Sequence, residues 1–199
     1  MIEVELKFRI NDARSLASQI LTMGGIEEGI EKHEDLYFRH PCRDFVVTKE
    51  ALRIRRVEVL KPNAFGQLQV SGEARVTYKG PHLPGVIKAR KELEWLLNPS
   101  DPSGDNLHDL LMLLGFTPVA TVIKSRQLFR VNANDVDVIL SIDDVQGVGS
   151  FVEVEVIAET QSDVEHARST VATIARNLGL GDATPRSYLS MLLDNAIPE

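Results

Sequence analysis

Two pairs of glutamates stand at alternate positions, one early and one late in the chain. One residue separates Glu3 from Glu5, and one residue separates Glu153 from Glu155. Alternate side chains of a β-strand project from the same face, ~6.5–7 Å apart. Two carboxylates at that spacing can share a hard divalent cation, Mg²⁺ or Mn²⁺, with a phosphate ligand. The pairs therefore indicate a metal site that serves a phosphorylated ligand.

Basic side chains show the same alternation with apolar neighbours. Nine of them fall on the polar faces of predicted strands: Lys7, Arg53, Arg55, Arg75, Lys79, Lys88, Arg90, Lys124 and Arg126. Seven acidic residues share these faces: Glu3, Glu5, Glu92, Glu94, Asp143, Glu153 and Glu155. The polar face of a single antiparallel strand usually meets water, and Glu92 or Glu94 can simply pair with lysine or arginine. Mixed charge on nearly every strand calls for a common explanation.

The elements that must position these residues follow from the period of the apolar side chains. Alternation predicts eight strands, at about 2–10, 26–40, 51–60, 66–79, 86–97, 118–131, 135–144 and 150–159. Helical spacing predicts four helices, at about 13–21, 105–114, 162–178 and from Thr184-Pro185 onward. Ser162 and Glu165 are spaced as a capping box for the third helix. The segment at about 61–72 is either a plain hairpin connection or a flap near the site entrance.

The opposite faces of the strands, rich in Val, Ile and Leu, must be hidden from water. Four amphipathic helices can cover them if the sheet curls into a barrel with its charged face turned inward. Two like charges ~6 Å apart in such a lumen repel by ~3 kcal/mol at an effective dielectric of ~20. Enclosed basic groups therefore favour a bound polyanion. We predict an α+β protein: a closed eight-stranded antiparallel β-barrel, forming a tunnel with a charged lumen, wrapped outside by helices.

The composition of the chain limits the number of domains, the partners and the compartment that can be expected. The chain has 199 residues, 43% of them hydrophobic, which suits one domain over 1–199. The net charge of −7 disfavours nucleic acid as a partner. The single cysteine, Cys42, excludes a disulfide framework and fits a reducing compartment. The acidic start and the lack of ~18 consecutive apolar residues give no support to secretion or to a membrane helix, so we expect a cytoplasmic protein without a membrane partner.

Several residues are not assigned a role in the site. The five histidines show no metal-ligand spacing and are expected at the surface or in loops: they are His33, His40, His82, His108 and His166. Tyr188 is expected to anchor the last helix rather than to touch a substrate. Arg75 and Lys88 are candidates for the lumen by their face alone.

The order of several short motifs resembles the CYTH superfamily, also called triphosphate tunnel metalloenzymes. Glu3-Val4-Glu5-Leu6-Lys7 matches its E-x-E-x-K signature. The later matches are, in order, Ala51-Leu52-Arg53-Ile54-Arg55, Thr77-Tyr78-Lys79-Gly80-Pro81, Arg90-Lys91-Glu92-Leu93-Glu94, Lys124-Ser125-Arg126, Asp143 with Gly147, Gly149 and Phe151, and Glu153-Val154-Glu155. Asp35-Leu36-Tyr37-Phe38 and Pro185-Arg186-Ser187-Tyr188 look most like the branch of class IV adenylyl cyclases.

This resemblance implies both a ligand set and a reaction. Divalent metal, Mg²⁺ or Mn²⁺, would be held by Glu3, Glu5, Asp143, Glu153 and Glu155. The triphosphate would be bound by Lys7, Arg53, Arg55, Lys79, Lys124 and Arg126, and alternation adds Arg90 to the same face. In a cyclase, metal on the acidic pairs activates the ribose 3′-hydroxyl of ATP for in-line attack on the α-phosphorus, and pyrophosphate leaves. Metal coordination lowers the pKa of the hydroxyl, so no conventional general base is demanded.

The catalytic residues of this interpretation are Glu3, Glu5, Lys7, Glu153 and Glu155. Two other functions remain open. The same site could direct water at the γ-phosphorus of inorganic triphosphate, thiamine triphosphate or a nucleotide, which would make the protein a triphosphatase. Alternatively, the barrel could bind a polyphosphate without turnover. The resemblance is also compatible with a homodimer, and no purine pocket is identifiable in the sequence.

Overall fold

The structure, a computed structural model, describes residues 1–62 and 68–196. These residues form eight strands: β1 Ile2–Arg9, β2 Ile26–Arg39, β3 Ala51–Pro62, β4 Leu68–His82, β5 Lys88–Leu96, β6 Thr117–Ala133, β7 Val136–Val145 and β8 Gly149–Ala158. They also form five α-helices: α1 Ala13–Thr22, α2 Phe45–Thr48, α3 Asp105–Leu113, α4 Val164–Asn177 and α5 Tyr188–Asn195. The centre of the predicted connection at 61–72 lies outside the described residues, as does the predicted start of the fourth strand at 66.

The eight strands close into an antiparallel barrel. Hydrogen-bonded neighbours follow the order β1-β5-β4-β3-β2-β6-β7-β8, and β8 pairs with β1. Glu5 of β1 therefore stands between Lys88 of β5 and Glu155 of β8. Lys7 stands opposite Glu153. The predicted closed eight-stranded barrel is confirmed.

Helices cover the outside of the barrel where its side chains are apolar. Ile20 of α1 and Val171 of α4 are fully buried in one cluster with Val154 of β8. On another side, Leu111 of α3 belongs to a smaller buried cluster with Phe38 of β2. Full burial of one such side chain stabilises the fold by ~1.5–3 kcal/mol. The apolar faces are thus hidden, and the charged faces of the strands are left for the interior.

The last helix begins later than predicted. The backbone N–H of Thr184 donates to the carbonyl of Lys7 over 2.8 Å, which holds this part of the chain extended against β1. Ser187 then caps α5, and its side chain accepts from the N–H of Ser190 over 3.1 Å. The predicted start at Thr184-Pro185 is wrong because pairing with β1 overrides the local preference of Pro185 for a first turn.

Two further helix predictions are corrected. The capping box before α4 is formed by Thr160 and Asp163, around a 3₁₀ turn at Gln161–Asp163, and not by Ser162 and Glu165. The short helix α2 was not predicted, because four residues are too few to show a helical period. Asp44 caps it, and its side chain accepts from the N–H of Val46 over 2.9 Å.

Strand β4 continues beyond its predicted end. It passes through Gly80-Pro81 to His82, with a shift of register between Lys79 and His82. Proline is tolerated at such an irregularity because the ladder hydrogen bond is already interrupted there. Within residues 1–62 and 68–196, the structure contains no helix with the length and apolar character needed to cross a membrane.

Candidate functional site

The charged faces of the strands enclose the interior of the barrel. Ten of the twelve predicted site residues have relative exposures of 9% or less: Glu3, Glu5, Lys7, Arg53, Arg55, Lys79, Lys124, Arg126, Asp143 and Glu153. Arg90 and Glu155 are partly exposed. Charged side chains are rarely this buried unless they are paired. In the free protein they pair with one another across the lumen.

Asp143 is the most enclosed of these carboxylates, with no exposed surface. Arg126 donates to both of its oxygens, over 2.7 and 2.6 Å. Lys124 Nζ donates to Oδ2 over 2.9 Å, and the hydroxyl of Tyr188 donates to the same oxygen over 2.9 Å. Asp143 therefore orients two basic side chains from β6 and links them to α5.

Lys7 is held in a similar way by neighbouring strands. Its Nζ lies 2.9 Å from Glu153 Oε1 and 3.5 Å from Glu5 Oε1. The ring centroid of Tyr188 is 4.0 Å from the same nitrogen, a cation–π contact. Burial opposes its charge, but the carboxylates of Glu5 and Glu153 outweigh it and raise the pKa of Lys7. Tyr188 therefore lies among the lumen cations, in addition to its predicted role in anchoring α5.

Lys124 differs from Lys7 although both contact a carboxylate. Burial, together with the guanidinium of Arg126, lowers the pKa of Lys124 to about 8. The ion pair with Asp143 works in the opposite direction but does not compensate, because Asp143 is shared with Arg126. Arg55 adds further positive charge. We call Arg55, Lys124 and Arg126 the basic region, where three buried cations lie together and share the carboxylates of Asp35, Asp143 and Glu153.

A second set of ion pairs surrounds Lys79 of β4. Its Nζ lies 3.2 Å from Glu3 Oε1 and also contacts Glu92. Arg90 Nε lies 3.5 Å from Glu92 Oε1. Glu92 thus pairs with basic side chains, as the sequence suggested.

Sequence analysis missed the contribution of β2 to the lumen. Asp35, 2% exposed, accepts from Arg55 over 2.6 and 2.8 Å and from Arg53 over 3.1 Å. Burial opposes its charge, but Arg53 and Arg55 keep the pKa of Asp35 well below its ordinary range. Together with Glu31 and Glu73, it adds acids that the sequence-based count of lumen charges omitted. The lumen therefore carries more negative charge than the nine basic and seven acidic residues counted from the sequence.

One of the five histidines is not at the surface. His33 of β2 is 3% exposed, and its Nε2 lies 2.7 Å from Glu31 Oε2. Burial, Arg55 and Arg126 lower the pKa of His33, with Lys124 adding to the effect. The expectation of a surface or loop position is wrong for this residue, because Glu31-x-His33-x-Asp35 is a polar face of β2 that turns inward.

The lumen also contains a group of three carboxylates that lie close together on β1 and β8. Glu155 stands opposite Glu5, and Glu3 lies two residues before Glu5 on β1. Burial and the carboxylates of Glu3 and Glu5 raise the pKa of Glu155 well above its ordinary range. We call Glu3, Glu5 and Glu155 the acidic region. Glu3 and Glu5 contact Lys79 and Lys7, whereas Glu155 makes no ion pair among the described residues.

The acidic region fits a divalent cation that arrives with a phosphate. No three His, Cys, Asp or Glu side chains in the part of the chain that the structure describes are grouped closely enough to hold a metal ion unaided. Mg²⁺, however, usually takes only one or two carboxylates and completes its shell with water and substrate phosphates. Glu5 and Glu155 provide hard oxygen donors in that number.

Comparisons with known proteins agree with this architecture. The chain matches the model of the CYTH domain over residues 1–188. MJ0240 of Methanocaldococcus jannaschii, which carries the provisional name of an adenylate cyclase, is 30% identical over 193 residues, covering 96% of this chain and 98% of MJ0240. The structure of PH1819 from Pyrococcus horikoshii OT3 is 34% identical, with a TM-score of 0.81, and covers 96% of this chain and 98% of PH1819.

A more distant structure shares the fold alone. HpAC1 from Hippeastrum, described as having a dominant triphosphatase activity, has a TM-score of 0.62 and 17% identity, over 99% of this chain and 97% of HpAC1. A family match over nearly the whole chain, a closed barrel and a lumen filled with paired charges lead to the same conclusion: this chain belongs to the CYTH domain family.

Proposed function

We propose that this barrel binds a triphosphate together with a divalent cation and catalyses the class IV adenylyl cyclase reaction, in which ATP yields cyclic AMP and pyrophosphate. The observation that carries the proposal is the separation of charge in the lumen. In the basic region the pKa of Lys124 is lowered to about 8, whereas in the acidic region the pKa of Glu155 is raised. A metal-bound triphosphate carries both signs of charge and would relieve both regions at once.

The triphosphate would be bound by Lys7, Arg53, Arg55, Lys79, Arg90, Lys124 and Arg126. In the free protein, Arg126 donates two hydrogen bonds to Asp143, and Arg55 donates two to Asp35. A planar guanidinium held in this geometry can bind two oxygens of a phosphate in the same way. The internal carboxylates therefore keep the arginines oriented, and binding exchanges some of these carboxylate contacts for phosphate contacts.

The divalent cation would be held by Glu3, Glu5, Asp143, Glu153 and Glu155. Asp143 and Glu153 already accept hydrogen bonds from lumen cations, so Glu5 and Glu155 are the most available of the set. When bound there, the cation lowers the pKa of a coordinated hydroxyl and neutralises charge on the phosphates.

The remaining steps belong to the side chains of the barrel. Arginines and lysines from β3, β4 and β6 would orient the phosphates so that the ribose 3′-hydroxyl approaches the α-phosphorus in line with the departing oxygen. Lys7 keeps its proton, because its pKa is raised, and can stabilise the charge that develops on pyrophosphate. The adenylate cyclase name of MJ0240, a relative over almost the whole chain, supports this assignment.

A triphosphatase is the second candidate. The basic side chains that would bind the phosphates make no contact that requires a nucleoside, so inorganic triphosphate or thiamine triphosphate would satisfy them as well as ATP. HpAC1, which shares only the fold, is described as having a dominant triphosphatase activity. In this case, water replaces the ribose hydroxyl, and the γ-phosphorus is attacked.

Product analysis distinguishes these functions. The protein is offered ATP, inorganic triphosphate and thiamine triphosphate in parallel, each with Mg²⁺ or Mn²⁺, and every product is identified by chromatography and mass spectrometry. Cyclic AMP with pyrophosphate supports the cyclase. ADP or AMP without a cyclic product contradicts the cyclase and supports the triphosphatase. Tight triphosphate binding without any product contradicts both and indicates a binding barrel.

A further inference from the structure

His33 presents a buried ring nitrogen that has no hydrogen-bond partner. The side chain is 3% exposed, and its Nδ1 is enclosed and unpartnered among the described residues. Buried polar atoms are nearly always satisfied by protein or by water, so an exception needs an explanation. Among the described residues, three side-chain atoms are exceptions, with Glu92 Oε1 and Asn98 Oδ1 as the other two, and His33 Nδ1 is the only ring nitrogen of the three.

The contact with Glu31 determines which ring nitrogen of His33 carries the proton. Nε2 lies 2.7 Å from Glu31 Oε2. An ionised carboxylate can only accept a hydrogen bond, so Nε2 must be the protonated nitrogen. Because burial and nearby cations disfavour a second proton, Nδ1 has a free lone pair. A carboxylate that fixes the tautomer of an imidazole and leaves its other nitrogen basic is a recurrent catalytic arrangement.

The position of His33 is defined by the strands on either side of β2. It is in register with Lys124 on β6 and with Val57 on β3. The charged groups that act on the ring are Glu31 and Asp35 on its own strand, Arg55 on β3, and Lys124 and Arg126 on β6. The last three form the basic region. The imidazole therefore lies beside the cations that would bind the phosphates of the ligand.

We propose that His33, oriented by Glu31, is the general base that accepts the proton of the attacking hydroxyl. This inference rests on the proposed function. The nucleophile, either the ribose 3′-hydroxyl or water, gives its proton to Nδ1 while its oxygen forms a bond to phosphorus. The bond from that phosphorus to the bridging oxygen breaks, and the leaving phosphate group takes the electron pair. The imidazolium then returns its proton to the leaving group or to solvent.

Substrate binding would activate this base. In the free protein, burial together with Arg55, Arg126 and Lys124 lowers the pKa of His33 and keeps the imidazole neutral. A bound triphosphate neutralises the same three cations, so it removes most of the charge that opposes protonation of the ring. Binding would thus raise the pKa of the ring, while its burial continues to lower it.

Kinetics with a conservative variant test the proposal. In His33→Gln, the side-chain amide can still donate to Glu31, but the basic nitrogen is lost. We expect kcat to fall ~10²- to 10⁴-fold, the usual contribution of a general base, while KM changes by less than about threefold. Glu31→Gln should lower kcat less than His33→Gln does. The matched control is His166→Gln, since His166 is exposed on α4 and should leave kcat unchanged.

The state of the ring can also be measured without turnover. The ¹⁵N resonances of the His33 imidazole, assigned by comparison with His33→Gln, are recorded in the free protein and with inorganic triphosphate in the absence of divalent metal. We expect a neutral ring protonated at Nε2, and a gain of proton occupancy at Nδ1 when triphosphate binds. A ring protonated at Nδ1 in the free protein contradicts the proposal.

Failure of the role proposed for His33 can be distinguished from failure of the proposed function. If His33→Gln turns over substrate at close to the rate of the unmodified protein, while its melting temperature is unchanged, His33 is not the base and the proposed function stands. If the unmodified protein turns over no triphosphate with either metal, the proposed function fails, and the inference fails with it.

Discussion

Glu5 and Glu155 stand directly opposite each other where β1 pairs with β8. Like charges in this position of an antiparallel pair destabilise it by ~0.2–1 kcal/mol. Two residues further along β1, Lys7 faces Glu153, and this pair has opposite charges. The two carboxylates therefore repel each other at one position of a strand pair whose next position is a salt bridge. A divalent cation bound there would attract both carboxylates.

We expect Glu155→Gln to stabilise the free protein while it abolishes the metal-dependent activity. Because the pKa of Glu155 is raised, the native state binds more protons than the unfolded state above the ordinary range of glutamate, and stability falls as pH rises there. Glutamine removes this cost, worth up to ~1 kcal/mol or about 2–4 °C in Tm. Calorimetry at neutral pH without metal provides the measurement. A lower Tm in the variant would contradict the assignment of uncompensated charge to Glu155.

We expect Mg²⁺ and inorganic triphosphate to stabilise the protein more together than separately, because each neutralises the charge that the other brings. A ligand at 100 times its Kd stabilises the native state by ~2.7 kcal/mol, which is several degrees in Tm for a chain of this size. Thermal shift assays with each component and with both provide the test. The same assay on Glu155→Gln should retain the effect of triphosphate and lose the additional effect of Mg²⁺. Equal shifts in the two proteins would argue against metal binding at Glu155.

We expect Lys124→Met to weaken binding of inorganic triphosphate ~10- to 100-fold, the equivalent of one charged hydrogen bond worth ~1.5–3 kcal/mol. The fold should tolerate the change, since Asp143 keeps its contacts with Arg126 and Tyr188. Titration calorimetry measures the loss. Lys32→Met removes the same charge from an exposed position on β2 and is the matched control.

Lys124→Met should also change how the stability of the free protein depends on pH. The pKa of Lys124 is lowered from 10.5 to about 8, so between these pH values the native state binds fewer protons than the unfolded state. Stability then rises with pH across this window. Lys124→Met should remove that rise, and an unchanged profile would show that the lysine is not perturbed.

We expect Asp35→Ala to destabilise the protein by ~3–5 kcal/mol, because it leaves two buried arginines without their shared carboxylate. The control is Glu34→Ala on the outer face of β2, where Glu34 pairs with Arg56 over 3.0 Å at the surface and the expected loss is below ~1 kcal/mol. Urea denaturation of both variants measures the difference. Similar values for the two would mean that the ion pairs of Asp35 contribute no more than surface contacts.

The contribution of Asp35 should also depend on pH. Its pKa is lowered in the native state, so the stabilisation is complete above the ordinary range of aspartate. It is lost as pH falls below that range towards the native pKa. Asp35→Ala should therefore differ less from the unmodified protein in acid than at neutral pH.

The clean alternation of β1 and β8 made them predictable. In Glu3-Val4-Glu5 and Glu153-Val154-Glu155, one face is ionic and the other apolar, so the two faces could be told apart without a structure. The closed barrel follows from that separation once helices are available to cover the outside.

The contribution of β2 to the lumen could not be predicted because both faces of this strand are polar. Lys32 and Glu34 lie on the outside, next to His33 and Asp35 on the inside. Alternation then carries no sign of which face is enclosed, and only the pairing with β3 and β6 reveals it. The start of α5 was missed for a related reason, since the hydrogen bond of Thr184 to Lys7 joins residues far apart in sequence.

Strand β1 lies between β5 and β8, so its partners are synthesised long after it. The pair of Ile2 with Ala158 spans most of the polypeptide. Such non-local contacts slow folding, because the entropy of a large loop must be lost before they form. Until β8 leaves the ribosome, β1 has an open edge and an uncovered apolar face. The nascent chain is therefore exposed to intermolecular strand pairing during translation, a hazard that ends when the barrel closes.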